Sequence, residues 1–463
     1  MFTYILMNLK ISYSSRSIET CLVFRYFFFS LFIVIIYISI EKPSAFSQGL
    51  PSLNDPSLQL DLVTDGIQSP TGMAFLSDNI ILITQKDGII SKLDLANPTI
   101  PESILELANV NSKNERGLLG IAIDNNILVD EMIGNNRLGD FDVFIFVTET
   151  GTQLGQESQG TDSNNELRNR VYKYTWDGQF LSNPKIILDL PAGPGTNHQG
   201  GKVKMGPDNQ LYAVIGELQR DGQLQNIKDG SAPDDSGVLL RVNPLDGSAS
   251  ENNPFIDLND TNRNPLDKYY AYGIRNSFGF DFDPITGKVW DAENGQDLYD
   301  EINLVEPGFN IGWKLIMGPM SKSVGITIND LVSFQGSNYA DPVLSWEQSR
   351  GITDLEFLKS DKLGKKYENN IFVGDITRGN LFFLAVNENR TGLQFENNPD
   401  IAKDLIATNE DEINSITLGT GFKGITDIET GPDGNLYILT YSRADGGLGA
   451  LYRISEDMTN PVS

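Results

Sequence analysis

After residue 48 the chain holds no long stretch in which apolar residues recur at helical spacing. Short runs of β-branched, aromatic and aliphatic residues follow one another instead, each close to a Gly or Asp turn. They include "TGMAFLSDNIILITQKDGIISKLDL" (71–95), "FDVFIFVTETG" (141–151), "MGPDNQLYAVIGE" (205–217) and "FDFDPITGKVWDAENG" (280–295). "LEFLKSDKLGKKYENNIFVGDITRGNLFFLAV" (355–386) and "IETGPDGNLYILTYS" (428–442) continue the series. The pattern predicts an all-β protein.

One cadence returns: an apolar residue, a turn with Asp, a strand, then a Gly or acidic exit. "GPDNQLYAVIGE" and "GPDGNLYILTYS" show it side by side. It comes back about six times, roughly every 60–75 residues, which is the mark of a repeat architecture. Four-stranded blades around an axis satisfy it, so residues 58–456 are expected to form a six-bladed β-propeller with long inter-strand loops. Candidate loops are 151–169, 218–236 and 248–268. Two stacked β-sandwiches are the alternative, but no low-complexity linker divides the chain.

Ahead of the repeats lies a segment of another kind. Arg16 and Arg25 precede an apolar run from Tyr26 to Ile40, and Ala45 and Ser47 then fit a small-x-small cleavage pattern. The run is short for a membrane span. Residues 1–47 are therefore expected to be a signal peptide, with an uncleaved anchor as the alternative. The protein is expected to be secreted, extracellular or periplasmic, and to meet a membrane only through that segment. The one cysteine, Cys21, lies within it, so the mature chain has no disulfide.

Charge narrows the partners. With 62 acidic and 35 basic residues the formal net charge is -27. Such a surface repels nucleic acid, while carboxylates suit hard cations such as Ca²⁺. "NDT" (259–261) and "NRT" (389–391) fit the N-glycosylation pattern.

The chain keeps a single histidine, His198, in "GPGTNHQGG". Imidazole is the side chain best suited to move a proton near neutral pH. Glu217, read as ending the strand that His198 begins, would orient the ring and support its cationic form. Arg275, in "GIRNSFG" with Asn276, offers a fixed fork for an anion or a developing oxyanion. The stretch from Glu293 to Glu301 combines acids with a glycine turn, Asn294, Gly295 and Gln296, and that donor chemistry suits Ca²⁺. Each feature also has a structural reading: a satisfied histidine, a turn cation, a salt-bridged loop. EF-hand spacing, a zinc ligand set, a G-x-S-x-G elbow and a dinucleotide-binding glycine pattern are all missing from the sequence.

"ERGLLGIAID" (115–124), "NHQGGKVKMGPDNQLYAVIGE" (197–217), "AYGIRNSFGFDFDPITGKVWDAENG" (271–295) and "DEINLVEPGFNIGW" (300–313) occur in that order. Together they resemble the soluble sugar dehydrogenases that use pyrroloquinoline quinone (PQQ), the glucose/sorbosone dehydrogenase family, over most of residues 60–455. The resemblance implies a six-bladed propeller. It implies that His198 takes the proton of the sugar C1 hydroxyl while a hydride passes to the quinone, with Glu217 as its acidic partner. Arg275 and Asn276 match quinone contacts, with Arg275 stabilising the charge of the reduced quinone and Asn294 at a neighbouring polar position. Gly295 and Gln296 lie where two carbonyls hold Ca²⁺, with Glu301 nearby.

The chain also departs from the family. Thr377 stands where members have a lysine, and Arg378 beside it is the candidate substitute. Gly424 and Thr426 stand where members have arginines, leaving only Lys423 nearby. Hydrogen bonds to charged groups contribute roughly 1.5–3 kcal/mol each, so these losses bear on cofactor binding. The reading is a PQQ- and Ca²⁺-dependent enzyme oxidising an aldose to its lactone, with a small-molecule sugar substrate and an extracellular electron acceptor. The alternative is a calcium-stabilised, non-catalytic extracellular binding propeller that has lost PQQ. A Ca²⁺-dependent lactonase is a third.

Overall fold

In the computed structural model, residues 50–124, 141–150, 167–256, 264–396 and 398–459 are described. The expected signal peptide, the "NDT" sequence and most of loop 151–169 lie outside them.

Six sheets follow one another along the chain, each with a core of four antiparallel strands. Blade 1 is Pro70–Ser77, Ile80–Gln85, Ile89–Asp94 and Glu102–Glu106. Blade 2 is Leu118–Ile123, Phe141–Thr150, Leu167–Trp176 and Leu181–Pro191. Blade 3 is Val203–Met205, Leu211–Ile215, Val238–Val242 and Tyr269–Tyr272. Blade 4 is Ser277–Phe282, Val289–Glu293, Leu298–Val305 and Leu344–Gln348. Blade 5 is Ile352–Phe357, Ile371–Asp375, Leu381–Val386 and Thr417–Thr420. Blade 6 takes three strands from the C-terminal end, Gly424–Thr430, Leu436–Tyr441 and Leu448–Glu456. Its fourth, Leu58–Gln68, comes from the N-terminal end and pairs antiparallel with Leu448–Glu456, Leu60 opposite Ile454.

The six-bladed propeller expected from the cadence is therefore present, and its two ends are sewn into one blade. Just ahead of the closing strand, Ser52–Leu53 pairs with Thr417–Thr420 at the edge of blade 5.

Strict apolar alternation is lost in the middle strands because neighbouring blades cover both faces of each sheet. Leu211–Ile215, Val289–Glu293, Ile352–Phe357 and Ile371–Asp375 are buried at every position. The apolar cores lie between blades. Trp290 of blade 4 meets Phe357 of blade 5 edge-on at 6.0 Å, a contact worth about 0.5–1.5 kcal/mol beyond its buried area.

Around the innermost strands of blades 3 to 6 charged residues are buried among the apolar ones. The Lys202 Nζ donates to Asp354 at 3.0 Å and to Asp427 at 2.5 Å. The Lys204 Nζ donates to Glu356 at 2.6 Å and lies 2.9 Å from Asp281. Burial pushes Glu356 up to about 7 and raises Asp427 despite its lysine. Removing one of these lysines would leave buried carboxylates uncompensated, at a cost of about 3–5 kcal/mol.

Candidate active site

In a four-stranded blade the outermost strand ends on the face where the next blade's innermost strand begins. The six connectors between consecutive blades, Ser69 being the one from blade 6 to blade 1, therefore open on one face, together with the hairpin turns between second and third strands. The residues singled out in the sequence lie in these loops, except Glu301, which is inside the strand Leu298–Val305.

His198 sits in the connector from blade 2 to blade 3, with φ 61°, followed by Gly200 at 64° and Gly201 at 114°. A left-handed histidine is uncommon, and such residues cluster at functional sites. Its Nδ1–H donates to a Glu217 carboxylate oxygen. A carboxylate only accepts, so the neutral ring carries its proton on Nδ1 and leaves a lone pair on Nε2. The other Glu217 oxygen accepts the Arg220 amide at 2.8 Å. No partner of Nε2 occurs among the described residues, and the side chain is 14% exposed.

The strand assignment for this pair needs one correction. Glu217 does not end the strand that His198 begins. His198 precedes Val203–Met205, and Glu217 follows Leu211–Ile215, its antiparallel neighbour. The turn at 206–210 reverses the chain and returns it to the same face, which is why residues 19 apart meet.

A residue that sequence reasoning missed ties three connectors together. Glu115 precedes the innermost strand of blade 2 and accepts the His198 amide at 2.6 Å and the Asn276 Nδ2–H at 3.0 Å on one oxygen. The Gly200 amide completes the link to Asn276 Oδ1 at 3.2 Å. The only signal for Glu115 was its place in "ERGLLGIAID".

Arg275 and Asn276 form the next connector. Both amides donate to Glu293 Oε1, at 2.6 and 3.0 Å. The Arg275 Nη1 donates to the Asn294 carbonyl at 3.0 Å, and the guanidinium lies over Trp313 at 5.3 Å. Its Nε is buried with no acceptor among the described residues. Asn294 Nδ2 donates to the Ile352 carbonyl at 2.7 Å, which joins blades 4 and 5.

The glycine turn is held by a carboxylate other than the one grouped with it in the sequence. The Gly295 amide donates to Asp300 Oδ1 at 2.9 Å. A Cβ on Gly295 would lie 2.0 Å from the Leu298 carbonyl, so only glycine fits. Gln296 is exposed. Among the described residues neither the Gly295 nor the Gln296 carbonyl accepts a hydrogen bond, so both oxygens remain available to a hard cation.

Glu301, grouped with this turn in the sequence, faces the other side of the sheet. It stands opposite Glu293 and accepts the Gly318 amide. The carboxylate that reaches the turn belongs to Asp300, one position earlier. Glu301, Glu293 and Asp291 are buried on the blade 3 side without a cation. Burial pushes Glu301 up to about 8 and Asp291 up to about 7, and it also raises Glu293 well above its usual range.

Arg378 and Lys423 lie on this face, but in surface ion pairs. Arg378 Nη1 donates to Glu410 at 2.9 Å, and Lys423 pairs with Asp445. The tightest triad of carboxylates among the described residues, Asp354, Asp427 and Glu429, already surrounds the Lys202 ammonium.

The arrangement sets an imidazole nitrogen, a guanidinium over an aromatic ring and two carbonyls without hydrogen-bond donors among the described residues on one face of the propeller. The chain matches the model of the Glucose / Sorbosone dehydrogenase family over residues 67–453. It is 26% identical over 415 residues to an uncharacterized protein of Synechocystis, with 87% of each chain covered. The aldose sugar dehydrogenase of Escherichia coli is 24% identical over 402 residues, 86% of this chain and 93% of that one. The PQQ-bound form of the aldose sugar dehydrogenase from Streptomyces coelicolor superposes with a TM-score of 0.59 at 21% identity, covering 86% of this chain and 99% of that one.

Proposed function

Because the chain belongs to the glucose/sorbosone dehydrogenase family, we propose that it oxidises an aldose at C1 to the lactone, with PQQ and Ca²⁺ as cofactors. The observation that carries this reading is the His198–Glu217 pair, which leaves the imidazole Nε2 as a proton acceptor. Bound PQQ would supply the hydride acceptor, an ortho-quinone that the chain's own side chains cannot replace.

The residues fit an anionic, planar group. Arg275 has a buried Nε with no acceptor among the described residues and lies over the Trp313 ring. Asn276 is fixed by Glu115, so its side chain is held ready for contact. The free Gly295 and Gln296 carbonyls would hold Ca²⁺, with Asp300 fixing the turn from behind. Glu301 is directed elsewhere and takes no part in that set.

His198 would take the proton of the C1 hydroxyl at Nε2 while hydride passes from C1 to the quinone. The Glu217 carboxylate keeps Nδ1 protonated and stabilises the imidazolium that forms. Glu115 holds the His198 backbone, which fixes where the ring stands. Arg275 would balance negative charge that accumulates on the cofactor. A small extracellular electron acceptor would then reoxidise it. Residues 1–47 would direct the protein out of the cytoplasm.

The test is a titration of PQQ into the Ca²⁺-loaded protein, read by quinone absorbance, followed by aldose and an artificial acceptor. Saturation near one equivalent and aldose-dependent reduction are expected. Lack of PQQ binding would overturn the reading in favour of a calcium-stabilised binding propeller, the outcome that Thr377, Gly424 and Thr426 would explain.

A further inference from the structure

Three of the cationic positions that the family resemblance leads one to expect are filled here by Thr377, Gly424 and Thr426. Arg378 and Lys423, the nearest cations in sequence, are turned to surface carboxylates. One arginine on the same face is not accounted for. Arg350 lies in the connector from blade 4 to blade 5, two residues before the innermost strand Ile352–Phe357. Arg275 lies two residues before the innermost strand Ser277–Phe282. The two arginines hold equivalent places in successive connectors.

Both are buried. The Arg350 side chain is only 3% exposed. Its Nη2 donates to Glu410 at 3.1 Å, and its Nε and Nη1 are buried with no acceptor among the described residues. A buried donor left without a partner costs about 1–3 kcal/mol, more for a charged group, so such an arginine calls for an anion. Glu410 does not meet that need, being 60% exposed and shared with Arg378.

The position relative to the glycine turn is also defined. The Arg350 and Gly351 amides donate to Asp300 Oδ2 at 2.6 and 2.7 Å, and Asp300 holds Gly295. Arg275 reaches the same turn from the other side through the Asn294 carbonyl. A Cβ on Gly351 would lie 2.8 Å from the Thr377 hydroxyl, and the Ile376 amide donates to the Gly351 carbonyl at 2.9 Å. Arg350 is thus one residue from contact with the position where the expected lysine is missing.

We propose that Arg350 binds a carboxylate of the quinone cofactor, supplying from the neighbouring connector the positive charge that Thr377 does not. The inference rests on the PQQ reading above. It makes the vacant donors of a guanidinium stand in for the point charge of a lysine.

The experiment compares PQQ dissociation constants by quinone absorbance, at fixed Ca²⁺, for wild type, Arg350→Met, Arg378→Gln and the double variant Arg350→Met/Thr377→Lys. Melting temperatures are recorded without PQQ. Arg350→Met is expected to weaken PQQ about 10–100-fold, as loss of a charged hydrogen bond implies. It is expected to leave the apo melting temperature unchanged or raised, since it removes buried unsatisfied donors. Arg378→Gln is expected to change binding less than about threefold, and Thr377→Lys to recover at least about tenfold in the double variant. A lower apo melting temperature, an Arg350→Met protein that does not fold, wild-type affinity in that variant, or no recovery by Thr377→Lys would each make Arg350 a structural residue and overturn the proposal. A wild type that binds no PQQ would instead sink the functional reading, and this proposal with it.

Discussion

The Asp300 carboxylate and the Gly295 amide meet at 2.9 Å, and through that bond a third strand fixes the turn that ends a second. Its other oxygen gathers the amides of Arg350, Gly351 and Ile352, while Ser349 Oγ donates to the first at 2.6 Å. Asp300→Ala would strip acceptors from all of these at once. It is expected to cost about 3–5 kcal/mol in chemical unfolding. It should also weaken Ca²⁺ binding at the turn, measured by calorimetry. Wild-type Ca²⁺ affinity in a folded variant would separate the turn from the metal.

The His198–Glu217 pair predicts an ordered loss of turnover. His198→Gln is expected to lower kcat by about 10²–10⁴-fold, the usual worth of a positioned base. Glu217→Gln presents an amide that no longer dictates a proton on Nδ1, so kcat should fall while KM changes little. Steady-state rates with aldose, PQQ and an artificial acceptor check both. Equal rates in wild type and His198→Gln would remove the histidine from the chemistry.

Gly216 lies where two connectors nearly touch. A Cβ there would sit 2.4 Å from the His198 carbonyl and 2.9 Å from that of Arg275. Gly216→Ala is therefore expected to displace both residues, with a loss of activity out of proportion to a melting change of a few degrees. The comparison of kcat with thermal unfolding tests it. A fully active alanine variant would mean that the connectors yield without consequence.

Burial raises Asp291, so between the unfolded carboxyl range and about pH 7 the folded state holds a proton that the unfolded state has released. Stability from this group is complete at low pH and is lost as pH rises through the folded value. The melting temperature of the wild type is expected to fall from pH 5 to pH 8, and Asp291→Asn should flatten that fall. Parallel curves for the two proteins would assign the slope to other groups.

The blades were legible because apolar runs and Asp or Gly turns are local signals, and "GPDNQLYAVIGE" repeats as "GPDGNLYILTYS". The choice between Asp300 and Glu301 was not. Adjacent residues on a strand face opposite sides, and only the register, with Glu301 opposite Glu293, says which side meets Gly295. Glu115 and Arg350 were invisible for a related reason. Neither belongs to a spacing motif, and each matters because connectors distant in sequence converge. Lys202 and Lys204 sit next to the histidine motif, yet their partners, Asp281, Asp354, Glu356 and Asp427, lie in three other blades.

The shared sixth blade imposes an order of events on the growing chain. Leu58–Gln68 is made early, but its partner strand, Leu448–Glu456, is made last. At roughly 5–20 residues per second, the interval is about 20–80 s. For that time the N-terminal strand is an unpaired edge, and Asp61 and Asp65 along "LQLDLVTDGIQ" keep it from recruiting a stranger. Only the final strand allows blade 6 to form, and with it the seam that holds the ring shut. Shortening the chain from either end would therefore open the same seam.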